Sequence, residues 1–161
     1  MAKAKKKIRV GFIGSGGIAR HHMGLIAKMD DVKIVAAADP SEKALEETAK
    51  EYKGLRCYAD YKDMLAEGKL DAISVCTPNF LHAQPTIDAL NAGLPVIVEK
   101  PMAMNAQECE AMIAASKKNK QLLVIGFQYR FGPEATVLKR YIDEDKFGKI
   151  LYGRCQALRR R

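Results

Sequence analysis

The sequence predicts an α/β domain: a doubly wound, mostly parallel sheet of six strands in the order 3-2-1-4-5-6, with helices on both faces. Three observations predict it. Short apolar runs alternate with helix-period segments six times along the 161 residues. The runs are almost continuously apolar, as strands are when helices cover both sides of a parallel sheet. The first run passes straight into a glycine turn, VGFIGSGGIA from Val10 to Ala19, where Gly14, Gly16 and Ala19 fit G-x-G-x-x-[G/A]. Right-handed crossovers then impose the strand order and place ligands at the carboxyl ends, beside the switch between strands one and four.

Each element follows from local signals. Ile8 to Ile13 reads as a buried strand. Ile18, His22, Leu25, Ile26 and Met29 recur three or four apart and predict the inner face of the first helix, with His21 and His22 as ordinary helix residues. Val32 to Ala38 is the second strand, and a helix runs from Asp39-Pro40-Ser41 through Tyr52 to a stop at Gly54. Leu55 to Tyr58 is a short third strand, and Tyr61 to Glu67 a short helix ended by Gly68. Ala72 to Cys76 is the fourth strand, and His82 to Asn91 a helix closed by Gly93. Pro95 to Glu99 is the fifth. Asn105 and Glu108 stand at capping-box spacing before a helix whose stripe is Cys109, Met112 and Ile113. Leu122 to Phe127 is the sixth strand, and Gly132 to Asp143 the last helix. Lys149 to Leu158 alternates like one more strand but has no sequence-adjacent partner. The organisation is therefore a basic tail over residues 1–7, a dinucleotide-binding domain over 8–148 and an orphan strand segment over 149–161.

The formal charge of +8 sits at the ends. Lys3, Lys5, Lys6, Lys7 and Arg9 carry five of the charges and Arg159, Arg160 and Arg161 three; the rest of the chain balances 19 acidic residues. This reads as solvated tails and argues against a nucleic-acid partner. No run reaches the roughly 18 apolar residues of a membrane span, and MAKAKKKIRV lacks the apolar core of a secretory signal, so the expectation is a cytoplasmic protein without a membrane partner. Cys57, Cys76, Cys109 and Cys155 are widely spaced and form neither a zinc pattern nor a disulfide framework; no metal site is expected, and Cys76 reads as a small core residue.

The candidate site residues lie at the strand ends. The glycine turn, Gly14, Ser15, Gly16, Gly17 and Ile18, with Ala19 behind it, lets a backbone approach a pyrophosphate at a helix N-terminus. A plain turn without a ligand is the other reading. Asp39, about 20 positions after Ala19, suits the adenosine ribose hydroxyls and would repel a 2′-phosphate, favouring NAD with NADP as the alternative cofactor. Asp39-Pro40-Ser41-Glu42 equally reads as a helix N-cap, proline and capping glutamate, and the two roles are compatible. Lys100, in Glu99-Lys100-Pro101, is a candidate proton donor or a rim lysine. Its bond to Pro101 is expected trans, with cis the minority form. His82 is a candidate acid or a structural histidine. Gln128, Tyr129 and Arg130 end the sixth strand and are candidates for the substrate side of the cleft, with Arg130 as a sheet-edge cap the other reading.

Taken together, VGFIGSGGIA, Asp39, CTPNFLH, EKPMA and GFQYRF resemble, in order and spacing, the glucose–fructose oxidoreductase / inositol dehydrogenase family (Gfo/Idh/MocA) over Ile8 to Phe131. FGKI from Phe147 resembles the start of that family's second domain. The resemblance implies an NAD(P) site in a Rossmann fold. The glycine turn, Asp39 and Ser41 would hold its adenosine and pyrophosphate. Thr77, Pro78, Asn79, His82, Glu99, Lys100 and Gln128 would lie toward the nicotinamide, with Lys100 and His82 as the catalytic candidates. It implies hydride transfer between nicotinamide and a hydroxyl carbon of a sugar, cyclitol or related polyol. The family's second domain supplies most substrate contacts and a catalytic aspartate and histidine, and no Asp-x-x-x-His pair follows here. The expectation is a truncated cofactor domain that acts on a sugar or polyol only when a second domain is supplied. Alone it would turn over little, because half a cleft does not align the reactants. The alternatives are a nucleotide-binding or oligomerising module, and a homo-oligomer is expected from the uncovered surface and the orphan strand.

Overall fold

The computed structural model describes residues 6–67 and 69–158. The expected stop at Gly68 and the charges of Lys3, Lys5, Arg159, Arg160 and Arg161 lie outside the described residues. The chain divides into two units, one up to Gly126 and one from Phe127.

The first unit is the sheet. Strands β1 (Ile8–Ile13), β2 (Val32–Ala38), β3 (Arg56–Tyr58), β4 (Ala72–Val75), β5 (Val96–Val98) and β6 (Leu123–Ile125) pair in the order β3-β2-β1-β4-β5-β6. All five pairings are parallel. Helices α1 (Gly17–Ile26), α2 (Glu42–Glu51), α3 (Tyr61–Ala66), α4 (Ala83–Asn91) and α5 (Ala106–Asn119) make the crossovers. The strand order and the switch at β1/β4 are as the sequence predicts.

Strand alternation sorts the core into two layers. Val10 and Phe12 of β1 and Ala37 of β2 pack with Ala19, Met23 and Leu45, beneath α1 and α2. Ile13, Ala36, Ile73, Val75, Val96 and Val98 pack with Met64, Ala89, Leu90 and Met112, beneath α3, α4 and α5. The chain therefore buries both sheet faces.

Two helices turn otherwise than their apolar spacing predicts. In α1 the buried residues are Ala19 and Met23; Ile18, Leu25 and Met29 are 44%, 50% and 51% exposed, and Met29 lies past the helix. The glycine turn sets this rotation, because the small residue at its third motif position is what lets the helix close on the sheet. In α5, Met112 and Ala115 face inward while Ile113 is exposed. Its cap is as expected: Asn105 Oδ1 accepts from the Glu108 N–H at 2.9 Å, and the Glu108 carboxylate accepts from the Met104 N–H at 3.0 Å.

Arg9 at the start of β1 grips Asp71 just before β4. Its Nε and Nη2 donate to the two carboxylate oxygens at 2.8 and 2.9 Å, and its backbone N–H donates to Oδ2 at 2.8 Å. The Arg9 hydrogen bonds hold the Asp71 carboxyl well below the usual carboxylate range. A carboxyl depressed in the folded state stabilises it above the unfolded value of roughly 3.9, and that contribution fades as pH falls toward the folded value. Thermal melts between about pH 5 and pH 2 should therefore show a fall in stability that is shallower in Asp71→Asn. Equal slopes would mean other carboxylates set the acid limit.

The second unit contains a 3-10 turn, Gln128–Phe131, and helix α6 (Pro133–Asp143), with Gly132 as its N-cap. Residues 149–158 form no strand and are exposed. Alternation supplies two faces, but a strand exists only through its ladder, and within this single chain the segment has none. Among the described residues, no helix is long and apolar enough to cross a membrane, and no three His, Cys, Asp or Glu side chains cluster as metal ligands.

Candidate functional site

A cavity of about 740 Å³ opens at the carboxyl ends of β1, β2 and β4, where the topology reverses. Ile13, Gly14, Gly16 and Ile18 form one wall, Ala38, Asp39 and Pro40 a second, and Cys76, Thr77, Pro78, Leu81 and Pro85 a third. Ala59, Asp60 and Tyr61 complete the lining.

The glycine turn is built by close backbone approach. Gly14 has φ +94°, and its N–H donates to the Ala38 carbonyl at 2.7 Å. A Cβ on Gly14 would stand 2.7 Å from the Cys76 carbonyl oxygen, in a backbone region where side chains are strained. Gly16 is the N-cap of α1, has an ordinary extended backbone, and has nothing within 4 Å of a Cβ built on it. No side chain caps α1 and no acid lies in its first turn, so its leading N–H groups and its positive dipole end have no anionic protein partner there. The Ser15 hydroxyl is buried without a partner. Together these features fit an anionic phosphate group set against backbone donors.

Asp39 holds the turn. Its Oδ2 accepts from the Ser15 N–H at 2.8 Å and its Oδ1 from the Ser41 N–H at 2.9 Å. This corrects the capping reading: the N-cap of α2 is Ser41, whose Oγ accepts from the Ala44 N–H at 3.3 Å, and Pro40 precedes the helix. Each Asp39 oxygen keeps a lone-pair direction for a further donor, as a ribose hydroxyl requires.

The third wall is held from behind by His82. The ring is fully buried, with Nδ1 2.6 Å from the Pro101 carbonyl and Nε2 3.0 Å from the Thr77 carbonyl. The ring lies between the Thr77 loop and the loop after β5; both partners are acceptors, so a neutral ring donates to one of them at a time. His82 is thus placed to position these loops, the structural alternative of the two readings. Asn79 opens a 3-10 turn ahead of α4, outside the cavity lining.

Glu99 and Lys100 follow β5 on the same edge of the sheet. Lys100 is exposed and its bond to Pro101 is cis, against the trans expectation. Glu99 is buried: Oε2 accepts from the Lys100 N–H at 3.1 Å, and Oε1 lies 3.0 Å from His22 Nε2. Neither lines the cavity. Gln128 belongs to the second unit.

The cavity brings together Gly14, Gly16, Ile18, Asp39, Thr77 and Pro78, with Ser15 and Ala19 buried behind the turn and Ser41 bound to Asp39. Three contributions were missed. Asp60 and Tyr61 reach the cavity because β3 also ends there, a signal present in the rule that ligands bind at strand ends. Tyr61 donates its hydroxyl to Asp88 Oδ2 at 2.8 Å, and burial, with that bond, pushes its pKa up. Cys76 is buried as expected but also lines the cavity, and burial pushes its thiol up to about 11, with the Glu99 charge adding to this and a Ser74 hydrogen bond opposing it. His22, read as an ordinary helix residue, pairs with Glu99, and nothing local announced that.

The chain matches, over residues 8–127, the model of the GFO_IDH_MocA family, described as an oxidoreductase family with an NAD-binding Rossmann fold. D-glucoside 3-dehydrogenase of Escherichia coli is 31% identical over 99% of this chain and 46% of its own length. Inositol 2-dehydrogenase/D-chiro-inositol 3-dehydrogenase of Halalkalibacterium halodurans is 34% identical over 92% of this chain and 43% of its own. Among solved structures, the WlbA dehydrogenase of Bordetella pertussis, in complex with NADH and UDP-GlcNAcA, superposes with a TM-score of 0.85 at 33% identity, over 89% of this chain and 44% of that one. Scyllo-inositol dehydrogenase of Lactobacillus casei, with bound NAD(H) and scyllo-inositol, gives 0.82 at 29%, over 89% and 43%. The chain spans under half the length of these relatives.

Proposed function

This chain belongs to the Gfo/Idh/MocA oxidoreductase family as its NAD-binding Rossmann domain, and from that premise we propose that it is the cofactor half of a sugar or cyclitol dehydrogenase. The observation that carries the reading is the Asp39 carboxylate, bonded to the N–H groups of Ser15 and Ser41 at the mouth of the switch-point cavity. Gly14, Ser15, Gly16, Gly17 and Ile18 would bind the pyrophosphate, with Ala19 letting α1 approach. Asp39, seated against Ser41, would take the adenosine ribose, and its charge disfavours the 2′-phosphate of NADP. Thr77, Pro78 and Asn79 would flank the nicotinamide side, toward Glu99 and Lys100.

When bound, the nicotinamide supplies the hydride acceptor. Lys100 would take the proton of the reacting hydroxyl, from the carboxyl end of β5, and return it in the reverse direction. His82 and Glu99 hold the backbone that presents it. The whole protein's substrate is proposed as a sugar, cyclitol or related polyol, the class named for the relatives above.

Calorimetric titration of this chain with NAD and NADP tests the reading. Saturable binding, tighter for NAD, is expected; binding of neither overturns it. A second reading is a nucleotide-binding module without turnover: the cavity is lined by the glycine turn and Asp39, while Lys100 lies outside its lining. NADH absorbance with a panel of sugars and cyclitols separates the two. Substrate-dependent NADH formation that falls about 10²–10⁴-fold in Lys100→Ala marks an enzyme, and binding without turnover marks a module.

A further inference from the structure

We propose that His22 is a positioning residue: from the first helix it orients the Glu99 carboxylate, and through it the backbone of Lys100. This rests on the reading of Lys100 as the proton-transfer group.

The Glu99 side chain is only 7% exposed. A carboxylate so placed is costly unless both oxygens are hydrogen-bonded. Oε1 lies 3.0 Å from His22 Nε2, and Oε2 accepts from the Lys100 N–H at 3.1 Å. Among the described residues, His22 is the side chain that pairs with it. One oxygen is thus tied to α1, one turn beyond the glycine motif, and the other to the backbone of Lys100. Space for this is kept by Gly126, where a Cβ would stand 3.2 Å from Oε1.

The far side of the imidazole meets a thiol. Nδ1 faces Cys76 Sγ at 3.7 Å, and Sγ lies 3.5 Å from the Ser74 hydroxyl. The buried thiol keeps its proton at neutral pH, so an S–H is present to face Nδ1. A thiol proton given to Nδ1 would leave Nε2 to carry the N–H toward Glu99, and this is the tautomer the proposal requires. His22 therefore links the helix whose N-terminus forms the pyrophosphate site to the residue after β5. A histidine that only filled space would not need a ring nitrogen 3.0 Å from the Glu99 carboxylate.

Amide hydrogen exchange on the full ¹⁵N-labelled chain tests this. In His22→Leu, close in size but without a donor, the Lys100 amide should exchange about tenfold faster or more. The Phe12 amide in β1 should keep its rate. His22→Gln, whose amide can donate to Glu99, should restore most of the Lys100 protection. An unchanged Lys100 amide in His22→Leu, or equal acceleration at Phe12, overturns the proposal. The ring ¹⁵N shifts of His22 in the unsubstituted chain decide the matter even if His22→Leu does not fold: Nε2 as the bare nitrogen overturns it, and Nε2 protonated supports it. NADH titration of the same samples is read separately. Failure to bind would sink the cofactor reading while leaving the exchange result to judge the His22–Glu99 link.

Discussion

Gly14→Ala is expected to destabilise the first unit severely and to abolish NAD binding, whereas Gly16→Ala spares the fold and loses only the ligand. At Gly14 two penalties coincide. The φ of +94° disfavours any Cβ, and that Cβ would meet the Cys76 carbonyl oxygen at 2.7 Å. The obstacle is backbone rather than a side chain that can swing away. A loss of about 3 kcal/mol or more is expected, since an incompatible backbone and a core clash act together. For a domain of this size that lowers Tm by roughly 6–12 °C. Gly16 differs in both respects, with φ −71° and open space where its Cβ would go. Its replacement costs stability only about 1 kcal/mol or less, the difference between glycine and alanine at an N-cap. The same open space is where a pyrophosphate would approach, so NAD affinity should fall about 100-fold, roughly 2.7 kcal/mol. Paired melting curves and calorimetry of the two variants check this. If Gly16→Ala binds NAD as tightly as the parent, the phosphate does not lie over the turn.

Asp39→Ala should weaken NAD binding about 10–100-fold and erase most of the preference for NAD over NADP. The substitution removes the proposed ribose acceptor. It also frees the N–H groups of Ser15 and Ser41 from the acceptor that fixes the glycine turn. Bonds to a charged acceptor contribute about 1.5–3 kcal/mol each, and the two are not additive because they share one carboxylate. Asp39→Asn separates charge from geometry. Its single oxygen can serve only one of the two amides, and its neutral amide no longer repels a 2′-phosphate. NADP affinity should therefore rise relative to NAD in both variants, with the turn better preserved in Asp39→Asn. An unchanged NAD/NADP ratio in both would mean the discrimination lies elsewhere, with Asp60 on the same cavity the next residue to substitute.

The sequence by itself determined the strands, their order and the glycine turn, because each is signalled within a few residues. Apolar runs bounded by glycines mark buried parallel strands, and a glycine forced to positive φ is a local demand of the chain. Asp39 was legible for the same reason: the end of the second strand must lie beside the turn after the first. The tertiary structure alone decided how those elements are rotated and what they meet. Spacing showed that α1 is amphipathic, yet its approach to the sheet at Ala19 turned Met23 inward and Ile18 toward the cavity. Residues 149–158 alternate as a strand does, but strand formation depends on a partner that the pattern does not contain. His82 reads as an acid or a strut until both ring nitrogens are seen against carbonyl oxygens. The pairing of His22 with Glu99 joins the first helix to the fifth strand, a contact between segments distant in sequence that no local periodicity encodes. Hydrogen bonds and burial between remote residues arise only once the crossovers are packed, so no local pattern announces them.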